Sequence, residues 1–297
     1  MSAAPDLFEQ IVRVRREGIP AALATIVATR GSTPGRETMR LLVLEDGTFL
    51  GTVGGGCLEA EVYETAKLVL ADEQPRTLQF RLTEHDSPDS GLLCGGEVTV
   101  FVEPLTTPAL WIFGGGHVSR ALCQVATLAG FRVTVVDDRA NYASRERFPE
   151  AAATVSAAFD ATVERMPLRA NTFVVVVTRG HKDDAVVLRA LAKRAAGGER
   201  ARFLGMIGSK TKRVVLFRHL RDEGVDPEFL TSIRSPVGLC IGAKSHEEIA
   251  VAVVGELISV RRTGADAAEA WRTRKRSARG APAAAPDTDD APASVDA

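Results

Sequence analysis

Residues 109–139, ALWIFGGGHVSRALCQVATLAGFRVTVVDDR, decide the fold of this chain. The run 110–113 is short and apolar, with the length and character of a buried parallel strand. In the Gly114, Gly115, Gly116 turn after it, Gly114 and Gly116 let the backbone bend tightly and approach a ligand where a Cβ would intrude. A helix opening at His117 would aim unpaired N–H groups, with their partial positive charge, at a phosphate. Residues 132–136 then rise as a second strand into Asp137 and Asp138. Asp137 falls about where a carboxylate meets the ribose hydroxyls of a dinucleotide. Strand, glycine turn, helix, strand and acidic end together predict nucleotide binding by a Rossmann-like unit. A Rossmann unit that keeps its glycines only for packing is the alternative.

Outward from this stretch, the pattern on the carboxyl-terminal side repeats strand then helix, which predicts a parallel sheet. Strands are expected at 172–178 and 202–207, and helices around 184–193 and over 210–223. Ser245 and Glu248 form a capping box for a long last helix whose Ile249, Val253, Leu257 and Val260 share a face. On the amino-terminal side, 6–17 reads as a helix with Asp6 at its start and Gly18 just past its end. Strands are expected at 22–29, 39–45, 48–52, 77–82 and 97–103, the second and third joined by an Asp46-Gly47 hairpin turn. Residues 57–72 have helical spacing. The fold class is therefore α/β, a Rossmann-like parallel-sheet domain at 108–263 preceded by a smaller α+β domain at 1–107. The rest, 264–297, is rich in Ala, Pro and Asp and predicted to be disordered.

The chain has 297 residues, 45% hydrophobic and 25% charged, with a net charge of −1. Such a balance creates no global field for nucleic acid or an anionic membrane. No apolar run has the length of a membrane span, and the first residues have no signal-peptide pattern, so a cytoplasmic location is expected. The four cysteines, Cys57, Cys94, Cys123 and Cys240, are scattered without a CxxC pair. That spacing favours neither a disulfide framework nor a zinc ribbon.

Two of these cysteines sit beside glycine turns. In TVGGGCLE, residues 52–59, Cys57 follows three glycines at a predicted helix start. A thiolate there would be stabilised by the helix N-terminus, suiting a nucleophile, a sulfur carrier or a soft-metal ligand. A small buried residue in a packed turn is the competing reading. Cys94, in LCGGEV at 93–98, repeats the theme. Cys123 falls on an apolar helix face and reads as packing. In the carboxyl-terminal half, His181 and Asp183 follow a predicted strand and should project near the glycine loop. GMIGSK at 205–210 places Gly208 and Ser209 in a second candidate anion nest, with Lys210 and Lys212 adding charge. No set of residues reads as a ready-made catalytic or metal centre.

Taken in order, several of these motifs are similar to those of one family. They are Gly31-Ser32-Thr33-Pro34, Asp46-Gly47, Gly54-Gly55-Gly56-Cys57-Leu58-Glu59, Cys94-Gly95-Gly96, the glycine loop, Val135-Val136-Asp137-Asp138-Arg139, Gly205-Met206-Ile207-Gly208-Ser209 and Pro236-Val237-Gly238-Leu239. The chain resembles the xanthine dehydrogenase accessory proteins of the XdhC/CoxI type. That resemblance implies a Rossmann-like carboxyl-terminal domain and a maturation chaperone that carries the molybdenum cofactor (molybdopterin with its metal) as cargo. It also implies two partners, an apo molybdenum hydroxylase of the xanthine dehydrogenase type and a cysteine desulfurase. A homodimer would suit such a hand-over. Cys57 becomes the candidate contact for the molybdenum or its sulfur, and Cys94 would converge with it on a cleft between the domains. The cofactor's phosphate or nucleotide end is expected on the glycine loop. Cys240 stands where the family has an aspartate, which removes a carboxylate from that turn. An NAD(P)-dependent oxidoreductase or a nucleotide-binding regulator is the rival reading, carried by Gly114 through Asp137.

Overall fold

The computed structural model describes residues 6–81, 96–105, 107–169 and 171–277. Its first layer is a five-stranded antiparallel sheet in the order β3-β2-β1-β5-β4. The strands are β1 (Ala21–Arg30), β2 (Arg40–Leu44), β3 (Phe49–Gly51), β4 (Arg76–Arg81) and β5 (Glu97–Pro104). Helix α1 (Leu7–Glu17) starts where Asp6 accepts from the N–H groups of Phe8 and Glu9, and ends at Gly18 in the left-handed region. It covers one face of the sheet, burying Val14 against Ala21, Leu23 and Leu42. Helix α2 (Gly56–Asp72) covers the other. Its Leu58, Val62, Ala66 and Val69, spaced by three or four residues, pack on Ile26, Leu41, Val43, Val98, Val100 and Val102. Each such side chain contributes about 1.5–3 kcal/mol on burial, except the smaller alanine. Cys94, the polar segment 83–90 and Leu82 lie outside the described residues.

The second layer is a parallel sheet ordered β10-β9-β6-β7-β8. Its strands are β6 (Ala109–Phe113), β7 (Arg132–Asp137), β8 (Ala153–Ser156), β9 (Thr172–Val176) and β10 (Phe203–Met206). Strands β6, β7 and β9 are almost wholly buried, as parallel strands covered on both faces must be. One face packs under α3 (His117–Leu128) and α8 (His246–Ser277). The other packs under α4 (Phe159–Arg165), α5 (His181–Ala196) and α6 (Lys210–Asp222). Strand order reverses between β6 and β9, which is where open α/β sheets bind ligands. The Ser245–Glu248 capping box forms as its spacing predicts, with Oγ accepting from the Glu248 N–H at 3.2 Å and Oε2 from the Ser245 N–H at 3.0 Å.

Three elements had no sequence signal: β8, α4 and α7 (Pro227–Ser232), each too short to show a period. The backbone of α8 also continues past Arg262 to Ser277, into the stretch that composition predicts to be disordered. Residues 265–277 hold neither glycine nor proline and are rich in Ala and Arg, both good helix formers.

Charged contacts join the two layers at one edge of the parallel sheet. Arg202, just before β10, pairs with Glu73 at the end of α2 at 3.2 Å. Arg169, ahead of β9, pairs with Glu45 at 3.4 Å and donates to the Gly18 carbonyl. All of these lie at the amino ends of the parallel strands. Strand β5 runs towards this junction and β6 runs away from it, so the glycine loop sits at the far pole of the second layer. Cys57 is 16 residues before Glu73 on the same helix, about 24 Å from the junction in the opposite sense. Strand direction therefore points Cys57 and the glycine loop away from the junction on opposite sides, whereas the sequence reading expected them on one cleft.

Candidate functional site

At the switch point each glycine has a different reason to be glycine. Gly114 has φ +109°, and a Cβ on it would lie under 3.0 Å from the Val177 carbonyl at the end of β9. A Cβ on Gly115 would meet the backbone of Tyr142 just as closely. Gly116 has ordinary φ −74° and nothing within 4 Å of a Cβ position. The first two glycines are thus needed by the protein's own packing. Only Gly116 opens onto empty space, at the uncapped N-terminus of α3. Beside it the exposed rings of His117 and His246 stack, centroids 5.5 Å apart, bringing the starts of α3 and α8 together.

The aspartates are engaged within the protein. Asp137 is buried and accepts from the Gly115 N–H at 2.8 Å and from Arg139 through its backbone N–H, Nε and Nη2 at 2.8–3.0 Å. Burial pushes its carboxyl up, but the Arg139 guanidinium and the two N–H donors outweigh that and hold it below the usual carboxylate range. The oxygens expected to meet a ribose instead tie the glycine loop to the residue two places on. Asp138, half-exposed, forms a two-pronged pair with Arg179 at 2.8 and 3.1 Å, and Arg179 also holds Asp183 at 2.8 Å. This bridge spans the crevice between the ends of β7 and β9.

Sequence reasoning missed the strap that covers the loop. The guanidinium groups of Arg139 and Arg147 both pack near Tyr142, 3.6 and 5.2 Å from its ring centroid, and Arg147 Nε donates to the Gly115 carbonyl at 2.9 Å. These residues lie in an irregular segment with no period to read. In the second nest, Ser209 is the N-cap of α6 and accepts from the Lys212 N–H at 3.1 Å. Gly208 has φ +155°, and its neighbour Lys212 reaches across to the wholly buried Asp184. Burial pushes the Asp184 carboxyl up, against Lys212 and the Thr178 hydroxyl, which donates to it at 2.6 Å. His181 opens α5 and is exposed.

The other pole belongs to Cys57. Gly54, Gly55 and Gly56 have φ of +119°, +77° and +65°, and the last two face open space. Glu59 Oε2 accepts from Thr52 Oγ1 at 2.5 Å and from the Val53 and Gly55 N–H groups at 3.1 and 3.3 Å, which fixes the turn from inside the helix. Gly54 packs on Gly35, and Gly96 on Ser32, so three chain segments meet at this end. Cys57 stands exposed at the first turn of α2. Cys240 is exposed in the 234–243 segment, far from it in the chain, and Cys123 is buried with its thiol pushed up to about 11 by burial. Among the described residues no group of three His, Cys, Asp or Glu side chains could hold a metal ion, and no helix is long and apolar enough to cross a membrane.

Comparisons with known proteins cover both layers. The profile of the XdhC Rossmann domain matches residues 110–257, and that of the XdhC and CoxI family matches residues 14–81. The protein YqeB of Escherichia coli K12 is 33% identical over 258 residues, 86% of this chain but 46% of its own length. The chain therefore spans less than half of that relative. A probable xanthine dehydrogenase subunit from Bacillus subtilis is 24% identical, over 82% of this chain and 93% of its own. The molybdenum cofactor insertion chaperone PaoD of Escherichia coli K12 is 26% identical, over 84% of this chain and 86% of its own. With both profiles matched in order along one polypeptide, the chain belongs to the XdhC and CoxI family.

Proposed function

We propose that this chain is a maturation factor for a molybdenum hydroxylase of the xanthine dehydrogenase type. It holds the molybdenum cofactor as cargo, supports or protects its terminal sulfur together with a cysteine desulfurase, and delivers it to the apo-enzyme in the cytoplasm. The observation that carries this reading is the placement of Cys57, exposed in the first turn of a helix that follows two glycines of positive φ. A soft sulfur donor suits molybdenum or its sulfido ligand better than the oxygen donors around it. The name of PaoD, a cofactor insertion chaperone, supports the same reading.

Strand direction adds a condition. Because Cys57 and the glycine loop occupy opposite poles, one cargo molecule meets both only if a second copy contributes one of them, and a homodimer is part of the proposal. The rival NAD(P)-dependent oxidoreductase loses its main support, since Asp137 is occupied by Gly115 and Arg139. The test is delivery by the Cys57→Ala variant to an apo-hydroxylase, with molybdopterin bound to the purified chain read by mass spectrometry. We expect activation of the apo-enzyme to fall at least about tenfold, the loss of one good metal or sulfur contact. Undiminished activation would remove Cys57 from the mechanism.

A further inference from the structure

A groove of about 1530 Å³ runs along the β10 edge of the parallel sheet, away from the glycine loop and from Cys57. One wall is α6, which turns Lys210, Arg213, Val214, Phe217, Arg218 and Arg221 towards it. Those positions follow i, i+3, i+4, i+7, i+8 and i+11, so a single helix face carries four cations. Arg200 and Arg234 line the groove from other segments. The floor is apolar, with Phe203, Val237 and Leu239 along the strand edge, where the 234–237 segment bonds to β10.

Four of the groove's cations find no partner among its described lining residues. Glu199 is the one acid among the described lining residues, and it is taken by Arg194 at 2.6 Å. Arg202 is held by Glu73, but among the described residues no ion pair engages Lys210, Arg200, Arg218 or Arg221. The first turn of α6 has no acidic residue, although the positive end of a helix favours one. Arg213 is fixed by donating to the Ser235 carbonyl at 3.2 Å, with its guanidinium 5.3 Å from the Phe217 ring centroid. Cations along one wall above an apolar floor match a ligand that carries phosphates. The volume exceeds the roughly 300–1,000 Å³ of common small-molecule sites, leaving room for a dinucleotide-sized molecule.

We infer that this groove binds a phosphate-bearing anion through the cationic face of α6. The inference does not rest on the cargo reading: anion binding can survive where Cys57→Ala abolishes delivery, and the reverse.

The experiment is calorimetric titration of the full chain with ADP and with inorganic pyrophosphate, at low and at moderate salt. We expect both to bind, more weakly at higher salt, and Arg218→Glu combined with Arg221→Glu to weaken binding at least about tenfold. Tighter binding of ADP than of pyrophosphate assigns the floor to a ring; equal binding assigns the groove to phosphate alone. If the double charge reversal unfolds the chain, which its thermal transition reports, Arg218→Gln with Arg221→Gln replaces it with the same expectation. Binding lost in Gly116→Val but intact in the double variant would overturn the inference in favour of the glycine loop. So would the absence of binding by either probe, or binding of a polyglutamate peptide alone, which would make the groove a docking site for an acidic protein.

Discussion

The two glycine triplets of this molecule look alike on paper and are built for different reasons. Each precedes a helix, Gly54–Gly55–Gly56 before α2 and Gly114–Gly115–Gly116 before α3. In the α3 triplet two glycines are required by close backbone neighbours and the last is unconstrained. In the α2 triplet the constraint on the last two is torsional: positive φ with open space around them. Packing glycines hold a fold together, whereas torsional glycines beside empty space expose the next residue along the chain. In α2 that residue is Cys57. The difference assigns the α3 loop mainly to architecture and the α2 turn to presentation of a side chain.

The largest effect that would break this contrast is at the packed positions. Gly114→Ala puts a methyl group against the Val177 carbonyl at a φ that L residues avoid, and Gly115→Ala puts one against Tyr142. Each should cost about 3 kcal/mol or more, because the obstructing atoms are backbone and cannot swing aside. Urea unfolding monitored by circular dichroism measures this. A loss under about 1 kcal/mol at both sites would mean the loop relaxes and the packing argument fails.

Much of this architecture was legible in advance. The 109–139 stretch specifies β6, α3 and β7 because a change of period, from a buried run to a helix and back, coincides with its glycines. Asp46-Gly47 and the Ser245–Glu248 box were readable because turn and cap chemistry is local. What sequence could not show is where local pieces face. Arg139 folds back onto Asp137 only because Gly115 and Tyr142 fix the geometry around both. The opposition of the two poles follows from β5 entering and β6 leaving a junction made of Glu73, Glu45, Arg169 and Arg202, residues with no periodic signature. The charges of α6 were visible, but their gathering on one groove wall depends on which face the sheet edge leaves uncovered.

A smaller effect tests whether Asp137 serves the loop rather than a ligand. Its folded carboxyl lies below the usual value, so the stability it contributes is present above the unfolded value of about 3.9 and is lost as pH falls through the folded one. Asp137→Asn should therefore destabilise the unliganded chain by about 2 kcal/mol at neutral pH, a figure already discounted for the part-exposed Arg139. The gap from wild type should close below about pH 4. Asp184 runs the other way. Burial raises its carboxyl, so its contribution is present below its unfolded value and lost as pH rises. The raw acid transition mixes both groups, and the difference between wild type and Asp137→Asn isolates one. A pH-independent difference would show that Asp137 is not an ionised clamp on the glycine loop.

The smallest stability effects separate the two triplets most cleanly. Gly56→Ala keeps every contact but forces a methyl-bearing residue to φ +65°, which should cost about 1 kcal/mol. Gly116→Ala has ordinary φ and open space, so its stability should stay within about 0.5 kcal/mol of wild type. Thermal unfolding resolves that difference when the two variants are run side by side. The functional consequences should invert the order. Gly56→Ala lies next to Cys57, and a methyl group there narrows access to the thiol, so alkylation of Cys57 by a bulky maleimide should slow more than the change in stability explains. Gly116→Ala leaves that rate untouched, because a glycine at the opposite pole shares no neighbour with the thiol. Equal rates in both variants would show that the α2 glycines do not control access to Cys57, and would leave its exposure as an accident of the helix start.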